Sequence, residues 1–326
     1  MITTLTDTDS GTIAAELVKA HQREGAATGM VHTLIVACHE VAFERALDAA
    51  VDAAREHPSR VLLVVESPEE KGLEAHLQVG EGVPGDVVTL RVPSDQMPHL
   101  ETLLLPLLLP DSPVIAWWPG ESPQKLTEDP IGRLATRRIT DAGGVEDPLA
   151  ALVNRAQHHS PGDTDLTWTR LTPWRALLAA ALDQYPTTIT AARVEAVAHN
   201  APAELLVAWL SERLDVPVER VDSDGPAITG VRLTTPEGDI ALLRPTGSMA
   251  SYEVPGQPQR QVALARRDMN ALITEELRHQ NPDAVFEDAC QEFLRRVDAG
   301  LARSSSPREG GGSAAEPFTS TMAQEA

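Results

Sequence analysis

The residues best suited to recognition or chemistry lie in one window of the chain, residues 107–183. This window holds four of the five tryptophans, with arginines and paired aspartates between them. Tryptophan offers a large apolar surface and one N–H donor, and it is enriched at binding surfaces. Because aromatic residues make up only 3% of the chain, we expect the cluster to mark the functional site. The predicted partner-binding residues are Trp117, Trp118, Arg137, Arg138, Asp163, Asp165, Trp168, Arg170, Trp174 and Arg175.

The charged members of the window are open to two kinds of chemistry. The pair Arg137-Arg138 can bind a phosphate or carboxylate bidentately, although an exposed, solvated pair is the commoner case. Asp163 and Asp165, predicted to lie in a loop, can ligate Mg²⁺, but such aspartates more often close turns or accept an arginine. No further oxygen ligands or nucleophile stand beside them. The sequence therefore predicts no metal ion, no cofactor and no catalytic residue.

The tryptophans are expected to differ in role. Trp117 and Trp118 end a predicted strand, and ligands of open α/β sheets bind at the carboxyl ends of strands. We expect one or both indoles on that rim; packing against covering helices is the alternative. Trp174 falls on the apolar face of a helix predicted to begin with Thr172 as N-cap, which favours packing in a core or at a domain seam.

Two domains are predicted to position these residues. Continuous apolar strands separated by amphipathic helices indicate a parallel sheet covered on both faces. Residues 10–165 therefore predict an α/β, Rossmann-like domain with a mostly parallel sheet flanked by helices. Its predicted strands are residues 30–37, 60–65 and 113–118, with 73–79 and 86–92 as a less regular β-insertion.

The second predicted domain, residues 166–302, has an α+β pattern. Short strands between residues 216 and 254 are separated by Pro- and Gly-containing turns, which indicates a β-meander, and two helices close the domain. Residues 1–9 are predicted to be a flexible N-terminus. Residues 303–326, rich in Ser and Gly, are predicted to be a disordered tail.

Composition and missing motifs exclude several classes of protein. A formal net charge of −21 argues against binding to nucleic acid or to an anionic membrane surface. No apolar stretch is long enough for a transmembrane helix, and the first residues lack a signal-peptide pattern, so we expect a cytoplasmic protein. The chain has no GxGxxG loop, which disfavours a dinucleotide enzyme. Cys38 and Cys290 are predicted to be buried, small apolar side chains.

Three motifs of the window carry a resemblance to a known family. LLPDSPVIAWWPG, RRITDA and DTDLTWTRLTPWRALL, in this order, are similar to OpcA, the glucose-6-phosphate dehydrogenase assembly protein family of actinobacteria and cyanobacteria. GMVHTLIVA, EHPSRVLLVV and LARRDM extend the resemblance to about residues 10–300. It implies a non-catalytic subunit that associates with the dehydrogenase and promotes its assembly or activity in the oxidative pentose phosphate pathway.

Two hypotheses follow for the function. In the first, the window is a desolvated binding surface of an allosteric activator subunit. In the second, the chain is a sugar-phosphate-binding protein or enzyme of central carbon metabolism. Its phosphate is clamped by Arg137, Arg138, Arg170 and Arg175, and Asp163 or Asp165 acts as acid or base. The two functions can coexist, because a regulatory subunit can sense the substrate of its partner.

Overall fold

Two β-sheets organise the protein in the computed structural model, which describes residues 1–24, 29–68, 72–80 and 82–300. The strands are β1 (Ile2–Thr8), β2 (His32–Cys38), β3 (Ser59–Glu66), β4 (Leu73–Val79), β5 (Gly85–Val92), β6 (Val114–Trp117), β7 (Arg137–Thr140), β8 (Asp163–Asp165), β9 (Ala191–Ala196), β10 (Val218–Asp222), β11 (Ile228–Thr235), β12 (Gly238–Leu243), β13 (Met249–Glu253) and β14 (Arg260–Ala263). The α-helices are α1 (Ser10–Glu24), α2 (Phe43–Glu56), α3 (Leu100–Leu104), α4 (Pro130–Leu134), α5 (Pro148–Gln157), α6 (Leu166–Thr169), α7 (Thr172–Gln184), α8 (Ala201–Leu214), α9 (Met269–Glu276) and α10 (Ala284–Asp298).

The first sheet has the strand order β1-β4-β5-β3-β2-β6-β7-β8. Six adjacent strands of this order, β5, β3, β2, β6, β7 and β8, run parallel to one another. Numbered along the chain among themselves, these six take the order 3-2-1-4-5-6, which is that of a Rossmann fold. Strands β4 and β1 extend the sheet in antiparallel fashion beyond β5. The predicted α/β, Rossmann-like sheet is confirmed.

Alternating side chains of the central strands fill two apolar layers, because successive strand residues point to opposite faces. Leu34 and Val36 of β2 pack on the face covered by α2 and α9, whereas Ile35 packs on the face covered by α1, α3 and α4. Helix α2 buries Ala46, Ala49, Ala50 and Ala53 along one side. Small side chains at this helical spacing let α2 lie close to the sheet.

The second sheet has the strand order β10-β9-β11-β12-β13-β14. Strands β11 to β14 pair antiparallel in sequence, so the predicted β-meander is confirmed. Helix α8 packs on this sheet and α10 packs on α8. Helix α9, however, packs against α2 of the first sheet. The closing helices therefore serve both sheets, and the domain boundary at residues 165/166 stays a prediction.

The structure differs from the sequence-based prediction at the N-terminus. Residues 1–9 are predicted to be flexible, yet Ile2–Thr8 form β1, which pairs with β4. The amino group of Met1 also donates to the Val79 carbonyl at 2.6 Å. This edge strand is largely exposed, so its sequence lacks the apolar run that marks the inner strands. The predicted tail, residues 303–326, lies outside the described residues. No helix among the described residues is long and apolar enough to cross a membrane.

Candidate functional site

The arginine pair of the window lies inside the protein. Arg137 donates to the carboxylate of Glu276 at 2.6 Å, and the two side chains are 3% and 6% exposed. Arg138 forms a buried ion pair with Asp163 and donates to two backbone carbonyls. The commoner case of an exposed, solvated pair is therefore wrong here. An exposed pair does not form because β7 is an inner strand, where Arg137 pairs with Glu276 and Arg138 pairs with Asp163.

Asp163 and Asp165 belong to strand β8, and the predicted loop is wrong at this point. Asp165 is fully buried and accepts from Thr140 Oγ1 at 2.6 Å, from Ala142 N at 2.9 Å and from Thr167 N at 2.8 Å. Asp163 accepts from Arg138. Protein donors thus satisfy both carboxylates. No group of three or more His, Cys, Asp or Glu that could hold a metal ion occurs in the described part of the chain.

Trp117 is the last residue of β6 and Trp118 follows it, but neither is exposed. Trp117 is 0% exposed, in the apolar cluster that includes Leu166 and Leu272. Trp118 is 4% exposed and packs in the opposite layer with Leu126. The expected placement on an open rim is therefore wrong, and the alternative of packing against covering elements is correct. Leu272 and Ile273 of α9 share this cluster with Trp117, and they lie more than 150 residues further along the chain.

The other two tryptophans are also buried, and they connect elements. The indole N–H of Trp168 donates to the Asp283 carboxylate at 2.8 Å. The guanidinium carbon of Arg175 lies 3.5 Å from the centre of the Trp168 ring, and burial lowers the pKa of Arg175 to about 10. Trp174 packs in the core of the second sheet with Leu178, which confirms the predicted packing role.

Taken together, the window joins the edge of the first sheet to the helices that follow the second sheet. Glu276 of α9 accepts from Thr169 Oγ1 at 2.5 Å as well as from Arg137. Arg267 donates to the Thr169 carbonyl and to Glu275. Of the ten predicted site residues, only Arg170 and Arg175 are partly exposed. The other eight are buried.

A cavity of about 290 Å³ opens beside Arg170 and Trp174. Three of its lining residues, Arg170, Leu171 and Trp174, belong to the window. Arg244 and Arg266 also line it and lie outside the window. Sequence reasoning missed the last two residues, because they follow different strands of the second sheet. The one available signal was the adjacent pair of arginines in the LARRDM motif.

The turn after β2 occupies the position where a Rossmann domain holds a pyrophosphate. Such domains use glycines there to bring backbone N–H groups to the phosphates. In this chain the turn holds His39 and Glu40, and the Glu40 carboxylate is paired with Arg91, with one N–O distance of 3.0 Å. The turn therefore carries an ion-paired side chain where such domains have a glycine. Burial raises the pKa of the Cys38 thiol, at the end of β2, to about 11, so that thiol is protonated at neutral pH.

The fold defines an α/β protein with a Rossmann-order sheet and a second, mixed sheet. Among solved structures, a 3-ketoreductase from Actinomadura kijaniata aligns with 13% identity and a TM-score of 0.44 over 82% of this chain and 96% of that chain. An oxidoreductase from Sinorhizobium meliloti aligns with 10% identity and a TM-score of 0.45 over the same shares. At these scores the likeness carries no inference about activity.

Two family models cover most of the chain. The model for the N-terminal domain of a glucose-6-phosphate dehydrogenase subunit matches residues 50–157, and the model for its C-terminal domain matches residues 161–290. The chain therefore belongs to the OpcA family of glucose-6-phosphate dehydrogenase assembly subunits, which confirms the resemblance seen in the sequence.

Two curated relatives carry the same family name. A protein of Synechococcus elongatus named "Putative OxPP cycle protein OpcA" is 27% identical over 218 residues, which are 63% of this chain and 45% of the relative. A protein of Synechocystis with the same name is 27% identical over 143 residues, 40% of this chain and 29% of the relative. Each alignment spans less than half the length of the curated relative.

Proposed function

We propose that this chain is a non-catalytic subunit that binds glucose-6-phosphate dehydrogenase and acts as an assembly factor and allosteric activator. The observation that carries the proposal is the family match across both halves of the chain. An activator shifts an equilibrium only by its differential affinity for the two states. The subunit therefore binds the active form of the enzyme more tightly than the inactive form. A cytoplasmic location follows from this choice of partner.

The arrangement of charged groups supports a binding role. Glu40 lies where a Rossmann enzyme holds its cofactor, and the buried carboxylates Asp163, Asp165 and Glu276 are engaged by protein donors. Catalytic acids and bases are instead kept free to reach substrate, with a pKa near the working pH. The candidate acids of the window thus act as structural acceptors in this proposal.

Contact with the dehydrogenase is proposed to use Arg170 and Arg175, the partly exposed residues of the window. Each guanidinium is already positioned: Arg170 by Asp141, through hydrogen bonds of 2.5 and 2.9 Å, and Arg175 by the Trp168 ring. Arginine fixed in this way loses little side-chain entropy on binding, which favours a hot-spot role.

The alternative function, a sugar-phosphate-binding protein or enzyme of central carbon metabolism, now rests on a different set of residues. Arg137 and Arg138 are not available to clamp a phosphate, because they form ion pairs with Glu276 and Asp163. The arginine-lined cavity beside Trp174 is the observation that keeps ligand binding as a candidate function.

The proposal is tested with the purified chain and the dehydrogenase of the same organism. Light scattering during size-exclusion chromatography should show a complex at micromolar concentrations. The Arg175→Gln variant should weaken binding by about tenfold, because a charged hydrogen bond contributes about 1.5–3 kcal/mol. Arg45→Gln is the matched control, since Arg45 is an exposed arginine of α2 outside the window. Absence of any complex would overturn the proposal. Equal affinity of the Arg175→Gln and Arg45→Gln variants for the dehydrogenase would overturn the assignment of Arg175 to the contact surface.

A further inference from the structure

The cavity beside Trp174 collects positive charge in a strongly acidic protein. The chain has 48 Asp and Glu residues against 27 Lys and Arg. The basic side chains that line the cavity are Arg170, His199, Arg244, Arg266 and Arg267, and the lining contains no Asp or Glu among the described residues. A local excess of this kind focuses a positive potential inside the cavity and attracts anions.

Two of these cations are already neutralised. Arg170 pairs with Asp141, and Arg267 pairs with Glu275. Both carboxylates lie behind the cavity wall, outside its lining. These two arginines therefore shape the wall and keep their place whether or not a ligand is bound.

Arg244 and Arg266 are not neutralised. Arg244 donates to the carbonyls of Leu264, at 2.8 Å, and Ile228, at 3.1 Å, which carry no net charge. Its Nε is buried without a hydrogen-bond partner in the described part of the protein. Arg266 is exposed at the mouth of the cavity and forms no ion pair with any described residue. Two positive charges thus face one space without a counter-ion.

The position of Arg244 makes this arrangement costly without a ligand. The residue is only 4% exposed, and its guanidinium carbon lies 5.0 Å from the centre of the Trp174 ring. Burial, with a smaller contribution from Arg266, lowers the pKa of Arg244 below its ordinary value. A buried charge without a counter-ion is destabilising, and an incoming anion would remove that cost.

The rest of the wall adds to the site. Helix α8 begins at Ala201 beside the cavity, so the positive end of its dipole adds to the field. Leu171, Pro173 and Trp174 give an apolar side. Ligand pockets usually combine such apolar walls with a few convergent polar groups, and a volume of about 290 Å³ suits a small metabolite.

We propose that this cavity binds a small phosphate monoester, with its dianionic phosphate between Arg244 and Arg266 and its organic part against Trp174. A dianion matches the two uncompensated cations, and the apolar wall requires a body beyond the phosphate itself. The site is separate from Arg137 and Arg138, and binding to it does not require the dehydrogenase. Its failure is therefore distinguishable from failure of the proposed function.

The test measures ligand binding to the full chain alone, by calorimetry and thermal unfolding at constant ionic strength. The probes are glucose 6-phosphate, inorganic phosphate and glucose. Glucose 6-phosphate should bind and raise the melting temperature, inorganic phosphate should bind more weakly, and glucose should have no effect. Arg266→Gln should weaken binding of glucose 6-phosphate by about tenfold or more, because one charged contact is lost. Arg45→Gln should match the parent protein.

The design separates the possible outcomes. Arg266 is exposed and unpaired, so its variant is expected to fold, and Arg244→Lys serves as a second variant that keeps the charge. No binding of glucose 6-phosphate at millimolar concentration would overturn the proposal. Equal binding by the parent and the Arg266→Gln variant would also overturn it. Inorganic phosphate binding as tightly as the ester would contradict the role of the apolar wall.

Discussion

The carboxylate of Glu276 lies 2.6 Å from the guanidinium of Arg137, in the seam between strand β7 and helix α9, and the two side chains are 6% and 3% exposed. Arg137 belongs to a parallel strand of the first sheet, and Glu276 ends a helix that follows the second sheet. The contact therefore joins segments 139 residues apart in the chain. It also explains why a motif that looks suited to phosphate binding contributes to folding instead.

Removal of one partner from this pair is expected to be costly. Glu276→Gln leaves the Arg137 charge buried without a counter-ion, which should lower the free energy of unfolding by about 3–5 kcal/mol. Urea denaturation measures the change. The control is Glu56→Gln: Glu56 pairs with Arg278 at 2.5 Å, but each side chain is 55% exposed. That pair should contribute less than about 1 kcal/mol. Equal losses in the two variants would contradict the account of the seam.

Trp117 is expected to act as a core residue and not as a contact with the dehydrogenase. Trp117→Ala should lower the free energy of unfolding by about 3–5 kcal/mol, because it leaves a cavity under α9. Trp117→Phe should cost less, since the Trp117 indole N–H has no hydrogen-bond partner among the described residues. The affinity of folded Trp117→Phe for the dehydrogenase should equal that of the parent. A large loss of affinity with unchanged stability would instead assign Trp117 to the interface.

His32 gives the protein a defined dependence on pH. Burial, followed by the charge of His57, lowers the pKa of His32 from 6.5 to about 4. The folded state thus favours the neutral ring, so this contribution to stability is complete above about pH 6.5 and is lost as the pH falls towards 4. The loss should reach about 3 kcal/mol. His32→Asn should flatten the stability profile in this range, whereas His76→Asn, at an exposed position of β4, should not. Identical profiles for the two variants would contradict the assignment.

The inner strands could be predicted because their sequences alone determine their environment. Ile35 and Leu62 stand in continuous apolar runs, which only a sheet covered on both faces can bury. The alanine face of α2 and the turns of the meander are equally local signals. Local features of this kind are sufficient to indicate an α/β fold.

Strands β7 and β8 could not be predicted in this way. Their buried arginines are stable inside the protein only because each forms an ion pair. Arg137 pairs with Glu276, and Arg138 pairs with Asp163. Charged side chains are almost never buried unless they are paired, and such a pairing between distant segments leaves no periodic pattern in the sequence. The candidate site was misplaced for the same reason, since Arg244 and Arg266 meet Trp174 only in the folded chain.

In the proposed function, this chain activates glucose-6-phosphate dehydrogenase without catalysing a reaction itself. The most direct measurement is the initial rate of the dehydrogenase, at fixed enzyme and substrate, as the chain is titrated in. A saturable rise in rate is expected, with a midpoint that matches the affinity of the complex, and no rate from the chain alone. A flat rate across micromolar concentrations of the chain would contradict it.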